Sequence, residues 1–246
     1  MKVVEWNVHK MTNNIPVKKF VISKLIEIDA DVICLVEYLT DNGIEKSLKE
    51  QYWFMESNTS SGNKVFIAVK KEFAPGGIFL KNKNEVRGCY NFLHIDFITK
   101  SGISISIIGV RMLSPMNAAK QTLPLKKYLS GLKNLSFLCI GDFNIQYYRI
   151  NKWFPNIATQ KMIGSTAKLS DVSIIYTDKN FEITGYGAVD HILHSDNLSV
   201  NSEYNWDYLS CDSSYPNINN VSIGTIWNIK PSFPDHALMI SHVEII

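Results

Sequence analysis

Apolar and polar positions along this chain alternate between two periods. Three continuous apolar runs, Val3-Val4-Glu5-Trp6-Asn7-Val8, Asp31-Val32-Ile33-Cys34-Leu35-Val36-Glu37 and Leu135-Ser136-Phe137-Leu138-Cys139-Ile140, read as buried strands. Between the first two, apolar residues at 17, 20, 21, 22, 25, 26 and 28 follow helical spacing, which predicts a strand-helix-strand unit. Asp41 is a helix cap for a second helix reaching about residue 51. Strands are expected near 52–57, 64–70, 90–98 and 103–110, the last two joined as a hairpin by Lys100-Ser101-Gly102. A helix over 118–132 should kink or break at Pro124, which lacks the amide proton a helix needs. Residues 145–170 read as helical or irregular, 183–195 contain another strand, and 196–234 read as loop with short strands near 199–205 and 225–229. A final strand covers 237–245. Strand-helix-strand recurs in each half, which suits an α/β (α+β) four-layer sandwich: two mixed β-sheets packed face to face with helices outside.

Composition adds bounds. A 46% hydrophobic and 11% aromatic content is that of a packed globular protein, and 246 residues suit a single domain over 1–246. The balance of 25 Lys+Arg against 23 Asp+Glu announces no particular partner. Cys34, Cys89, Cys139 and Cys211 form no C-x-x-C pair and read as reduced. Met1-Lys2 leads directly into a strand, without a signal peptide, and no apolar run approaches the roughly 18 residues of a membrane span. The expectation is a cytoplasmic monomer without a membrane segment.

The chemistry gathers at strand ends. Gly141-Asp142-Phe143-Asn144 follows the 135–140 strand; alone it is also an ordinary turn. Asn7 closes the first strand and Glu37 the second, where a carboxylate after an apolar run must be solvated or paired. Asp235-His236 precedes the last strand, and Gly187-Ala188-Val189-Asp190-His191 offers another Asp. Asn, Glu, Asp-x-Asn, Asp and Asp-His in this order resemble the endonuclease/exonuclease/phosphatase superfamily, over the whole chain.

The resemblance implies divalent-metal-dependent hydrolysis of phosphodiester bonds. Glu37, Asn7, Asp142 and Asp235 would stand at the metal. Because these donors are oxygens, the expected cofactor is Mg²⁺ or Mn²⁺. His236 would transfer the proton, with Asp190 fixing its tautomer. Asp142 and Asn144 would serve the reacting water and the phosphate. One departure stands out: relatives place a His or Tyr where this chain has Arg111, which cannot shuttle a proton but can bind phosphate bidentately. Asn117 and Arg87 are weaker candidates for phosphate contact. Tyr148 and Arg149, just beyond Asn144, suit base stacking and backbone phosphates, although the same stretch reads as an amphipathic helix with Trp153 and Phe154 in the core. His191 adjoins Asp190 and so faces the opposite side of its strand; His94 and His242 read as core or sheet-facing, His194 as surface, and His9 stands either way. A nuclease acting on DNA or RNA leads. A phosphatase or phosphodiesterase for a phosphorylated small molecule or lipid headgroup is the alternative. A nucleic-acid-binding module whose activity was lost through Arg111 is the third reading.

Overall fold

The computed structural model of the chain describes residues 1–8, 15–40, 42–58, 64–83, 91–113, 118–132, 134–163, 171–176, 181–205, 234 and 236–246, and at 15–18, 42, 118–119, 171–176 and 181–186 the backbone alone. The elements run β1 (Lys2–Asn7), α1 (Ile15–Ile28), β2 (Val32–Tyr38), α2 (Asn42–Leu48), β3 (Tyr52–Glu56) and β4 (Lys64–Lys70). Then come β5 (Ile78–Lys83), β6 (Phe92–Ile98), β7 (Ser104–Arg111), α3 (Ala118–Ser130), β8 (Ser136–Asp142) and α4 (Tyr147–Trp153). Seven further strands follow: β9 (Ala158–Thr159), β10 (Lys161–Met162), β11 (Asp171–Tyr176), β12 (Phe181–Gly187), β13 (Asp190–His194), β14 (Leu198–Asn205) and β15 (Leu238–Ile245).

They build a seven-stranded sheet, β10-β14-β15-β1-β2-β4-β3, and a six-stranded sheet, β5-β6-β7-β8-β13-β9, with β11 and β12 paired as a separate ribbon. Both large sheets are mixed: β1 runs parallel to β2 and antiparallel to β15, while β7 runs parallel to β8. Alternation along each strand sorts its apolar residues into layers. Val3, Cys34, Ile67, Ile95, Ile107, Ile140, Ile192 and Met239 pack between the sheets. Val4, Trp6, Ile33, Leu35 and Phe66 face outward against Phe20, Val21 and Leu25 of α1. On the other side Ile108, Val110, Cys139 and Leu193 meet Leu125 and Leu129 of α3 and Ile150 of α4. The expected four-layer arrangement of helix, sheet, sheet and helix is therefore present. The sheets approach closely at Gly109, where a Cβ would run into Val65 and lie 3.3 Å from the Cys34 sulfur.

Two expectations need correction. The 118–132 helix does not break, because α3 continues through Pro124 with Leu125 and Leu129 fully buried beneath it. Packing of its apolar stripe outweighs one missing hydrogen bond. The strand β5 was not expected. It lies at the edge of its sheet with Phe79 and Leu80 exposed, so it carries neither a buried run nor a clean alternation. The hairpin at Lys100-Ser101-Gly102 is present, with Gly102 at φ 82° and the Thr99 amide donating to Ile103. Cys34 and Cys139 are buried thiols. The expected strand near 225–229, the Asp41 cap, Cys89 and Cys211 lie outside the described residues. Among the described residues no helix is long and apolar enough to cross a membrane.

Candidate active site

Strand register brings the polar residues together. Arg111, Asp142 and Asp190 occupy neighbouring positions on β7, β8 and β13: Arg111 pairs with Asp142, and Asp142 with Asp190. Ile107, Ile140 and Ile192, two or four positions along the same strands, face the inter-sheet core, so the three polar side chains point into the same gap at its open end. Opposite them, the alternation Val3, Glu5, Asn7 on β1 directs Glu5 and Asn7 to the same side.

Irregular backbone delivers the rest. Regular alternation would place Glu37 on the outer face with Leu35. Instead the β2–β4 register shifts between Leu35 and Tyr38, and Glu37 adopts φ 51°. A bulge of this kind re-aims one side chain, and it carries Glu37 to Arg111. Gly141 stands at φ 142°, and a Cβ there would overlap the Val110 carbonyl, which explains glycine before Asp142. Asn144 sits in the left-handed region at φ 50° and folds back on its neighbour.

The hydrogen bonds define each group's role. His236 Nδ1 lies 2.7 Å from Asp190 Oδ2, and both side chains are buried. Asn7 Nδ2 lies 3.4 Å from His236 Nε2 and 3.4 Å from Asp142 Oδ2. An amide nitrogen only donates, so Nε2 is the acceptor and the imidazole proton resides on Nδ1, facing Asp190. Asp142 Oδ1 accepts from the Asn144 amide at 2.8 Å, and Oδ2 accepts from Asn144 Nδ2 at 3.1 Å. Asn144 Nδ2 also reaches the Met112 carbonyl at 2.8 Å. Arg111 Nε donates to Glu37 Oε1 at 3.1 Å and lies 3.5 Å from Asp142 Oδ2, while its terminal nitrogens bond Glu37 Oε1 and the Met112 carbonyl. Burial pushes the Asp142 carboxyl up to about 7; Arg111 opposes that shift and Asp190 adds to it. Burial also works against the Arg111 charge, but Asp142 and Glu37 outweigh it and hold its pKa above the usual arginine value.

Asn7, Glu37, Arg111, Asp142, Asn144, Asp190 and His236 thus meet in one place. Asp235, His9, Arg87 and Asn117 lie outside the described residues. On α4, Tyr148 is 73% exposed with the Arg149 guanidinium 5.2 Å from its ring centre, whereas Phe154 is fully buried. Phe154, just past the end of α4, packs into the core as the amphipathic reading expects, and Tyr148 and Arg149 stand on the exposed side. His191 points away from the site as expected: its Nε2 donates to the Ile145 carbonyl at 2.6 Å, Gln160 caps Nδ1 at 3.4 Å, and burial lowers its pKa to about 4. His94 sits beneath α3 between Tyr128 and Asp96. His194, expected at the surface, is buried, with Nδ1 3.0 Å from the Ser195 carbonyl. The strand end that suggested exposure is covered.

The residue that sequence reasoning passed over is Glu5. It is 0% exposed, and neither carboxylate oxygen has a hydrogen-bond partner among the described residues. Burial raises its pKa well above the ordinary value, Asp190 adds to the shift, His236 opposes it and Asp142 adds again. The available signal was a charged residue at an inward position of an otherwise apolar strand, two residues before Asn7.

Among the described residues no three His, Cys, Asp or Glu side chains stand close enough to enclose an ion. Magnesium does not need such a cage, since it keeps several waters and takes one or two carboxylates plus substrate phosphate. Glu37 and Asp142 already share one cation, the Arg111 guanidinium, and Asn7, whose Nδ2 faces Asp142, would add a third oxygen if its amide turned. That donor chemistry fits a hard divalent ion.

No family model matches the chain, and no curated protein matches it by sequence. Solved structures do. TDP2 from C. elegans is similar at a TM-score of 0.68 and 12% identity, covering 100% of this chain and 75% of that one. D. rerio TDP2, complexed with a single-strand DNA product, is similar at a TM-score of 0.65 and 13% identity, covering 99% of this chain and 98% of that one. The human Nocturnin catalytic domain with bound sulfate is similar at a TM-score of 0.64 and 14% identity, covering 100% of this chain and 94% of that one. An endonuclease/exonuclease/phosphatase from Bacteroides vulgatus is similar at a TM-score of 0.62 and 12% identity, covering 100% and 98%. The chain has the fold of the endonuclease/exonuclease/phosphatase superfamily.

Proposed function

We propose that this chain hydrolyses phosphodiester bonds of nucleic acid with Mg²⁺ or Mn²⁺ as cofactor. The observation that carries the reading is the His236–Asp190 pair, held at 2.7 Å beside Asn7 and Asp142 at the mouth of the cleft. With its proton on Nδ1, His236 has a basic Nε2, which accepts weakly from Asn7 and would take a proton from a water molecule standing in that amide's place. The buried Asp190 carboxylate then stabilises the imidazolium and keeps the ring oriented. Asn7 and Asn144 both donate to Asp142 Oδ2, and either amide would offer a proton to a phosphoryl oxygen on turning from it. Glu37, with Asp142 and Asn7, would hold the cation; when bound, it neutralises phosphoryl charge and orients the reacting oxygens. Asp235 completes this proposed donor set.

Nucleic acid is favoured over a small phosphoester by α4. Its exposed Tyr148, with Arg149 alongside, begins just past Asn144 and presents a stacking surface with a cation for backbone phosphate. The likeness to a TDP2 holding a single-strand DNA product supports the same reading. The test is hydrolysis of plasmid, single-stranded DNA, RNA and a generic phosphodiester, with chelator and with magnesium. Magnesium-dependent cleavage of a polynucleotide is expected. Cleavage of the generic phosphodiester alone favours the small-molecule reading, and full activity in chelator refutes the metal.

A further inference from the structure

We propose that Arg111 is an internal counter-cation that competes with the divalent ion for Glu37, so that ion entry and release of the guanidinium are one exchange. The inference rests on the hydrolase reading above and adds a determinant of ion affinity to it. Every nitrogen of the Arg111 guanidinium has a partner. Nε and one terminal nitrogen converge on Glu37 Oε1, and the other terminal nitrogen bonds the Met112 carbonyl. The side chains of Arg111 and Glu37 are 16% and 13% exposed, so the pair is screened far less than a surface ion pair. Asp142 Oδ2, at 3.5 Å from Nε, anchors the cation from the other side.

The backbone is built for this contact. The bulge at Glu37 turns its carboxylate toward Arg111, and the β7–β8 register places Arg111 next to Asp142. A doubly charged ion approaching Glu37 meets a permanent cation on the same oxygen. Both cannot occupy it, since like charges repel strongly at contact in a partly dry site. The ion therefore displaces the guanidinium from Oε1, and the freed nitrogens become available to an anion such as phosphate. Ion affinity is correspondingly lower than the carboxylates alone would give.

The experiment is calorimetric titration of Mn²⁺ into chelator-stripped wild type, R111Q, R111K and E37Q. R111Q is expected to bind about fivefold or more tightly than wild type, the lower end of ordinary coupling between two linked events. R111K keeps a cation but loses the fork and should fall between them. E37Q should lose the tight site in every background. Equal or weaker binding by R111Q overturns the exchange and leaves the hydrolase reading standing. Absence of Mn²⁺ binding in both wild type and R111Q overturns both. If R111Q does not fold, R111K decides: affinity equal to wild type overturns the exchange.

Discussion

Glu5→Met should stabilise this protein. Glu5 is fully buried on an inward position of β1, beside Cys34 on one neighbouring strand and Met239 on the other. Neither oxygen has a hydrogen-bond partner among the described residues. Leaving a buried polar group unsatisfied costs about 1–3 kcal/mol, which an apolar residue of the same shape recovers. Methionine keeps the unbranched shape and adapts to irregular gaps. In a chain of this length each kcal/mol moves the midpoint by roughly 2–4 °C, so a gain of about 1–3 kcal/mol corresponds to roughly 2–12 °C.

The gain depends on pH in a definite sense. Burial, with Asp190 and Asp142, makes the folded carboxyl hold its proton more tightly than the unfolded chain does, His236 opposing. Wild-type stability therefore falls as pH rises from the unfolded glutamate value, ~4.3, through the raised folded value. Glu5→Met removes that dependence, so the difference in Tm between mutant and wild type should widen from pH 4.5 to pH 8. Scanning calorimetry at several pH values measures it. A mutant less stable than wild type at pH 8, or a difference independent of pH, refutes the reasoning. Because a buried carboxyl is kept at this cost beside Asp142, Asp190 and His236, the stabilised mutant is also expected to turn over more slowly.

Other outcomes follow from the same geometry. His236→Ala should lower the rate by about 10²–10⁴, and adding Asp190→Asn should cost little more, because the two act as one unit; independent, multiplying losses in the double mutant would refute the pairing. His191 is buried and neutral, with its pKa lowered from 6.5 to about 4. The unfolded chain binds that proton first, so stability should fall by on the order of 3 kcal/mol as pH drops from 6.5 to 4; His191→Gln should remove much of that slope in acid titrations while leaving catalysis nearly unchanged. Glu37→Gln should retain the fold by circular dichroism and lose magnesium-dependent hydrolysis, and wild-type turnover would remove Glu37 from the ion site.

The layers were legible because each strand writes its burial into its side chains. Val32 through Val36 and Phe137 through Ile140 are apolar on both faces, Val3 through Val8 is so apart from the inward Glu5 and Asn7, and all three strands lie between a second sheet and a helix layer. The strand-end polar residues were legible for the same reason, since each interrupts such a run where it leaves the core. Partnerships between them were not. Arg111 meets Glu37 across 74 positions of sequence, and His236 meets Asp190 across 46, distances that only register and sheet packing close. Strand β5 escaped because an exposed edge has no burial pattern to read, and His194 because a strand end can be capped by distant chain.

Glu37 shows most clearly why the site itself resists reading from pattern. Period-two alternation puts it on the outer face, and the shift that turns it inward leaves no mark in the local sequence. Its φ of 51° is a conformation that Asn and Asp tolerate and glutamate rarely adopts. Strain of this kind costs on the order of 1–3 kcal/mol and persists only where surrounding contacts hold it. Here the holding contact is Arg111, itself fixed by Met112 and Asp142, and Asn144 in the same left-handed region completes the rim. The fold thus spends stability three times in one region: in the bulge at Glu37, in the buried and proton-avid Asp142, and in Glu5, which has no hydrogen-bond partner among the described residues. A structural ion pair alone would not require all three side by side. Their coincidence near the strand ends, beside the His236–Asp190 pair, supports the proposed reading of this cluster as a functional site, since perturbed and strained groups gather at such sites.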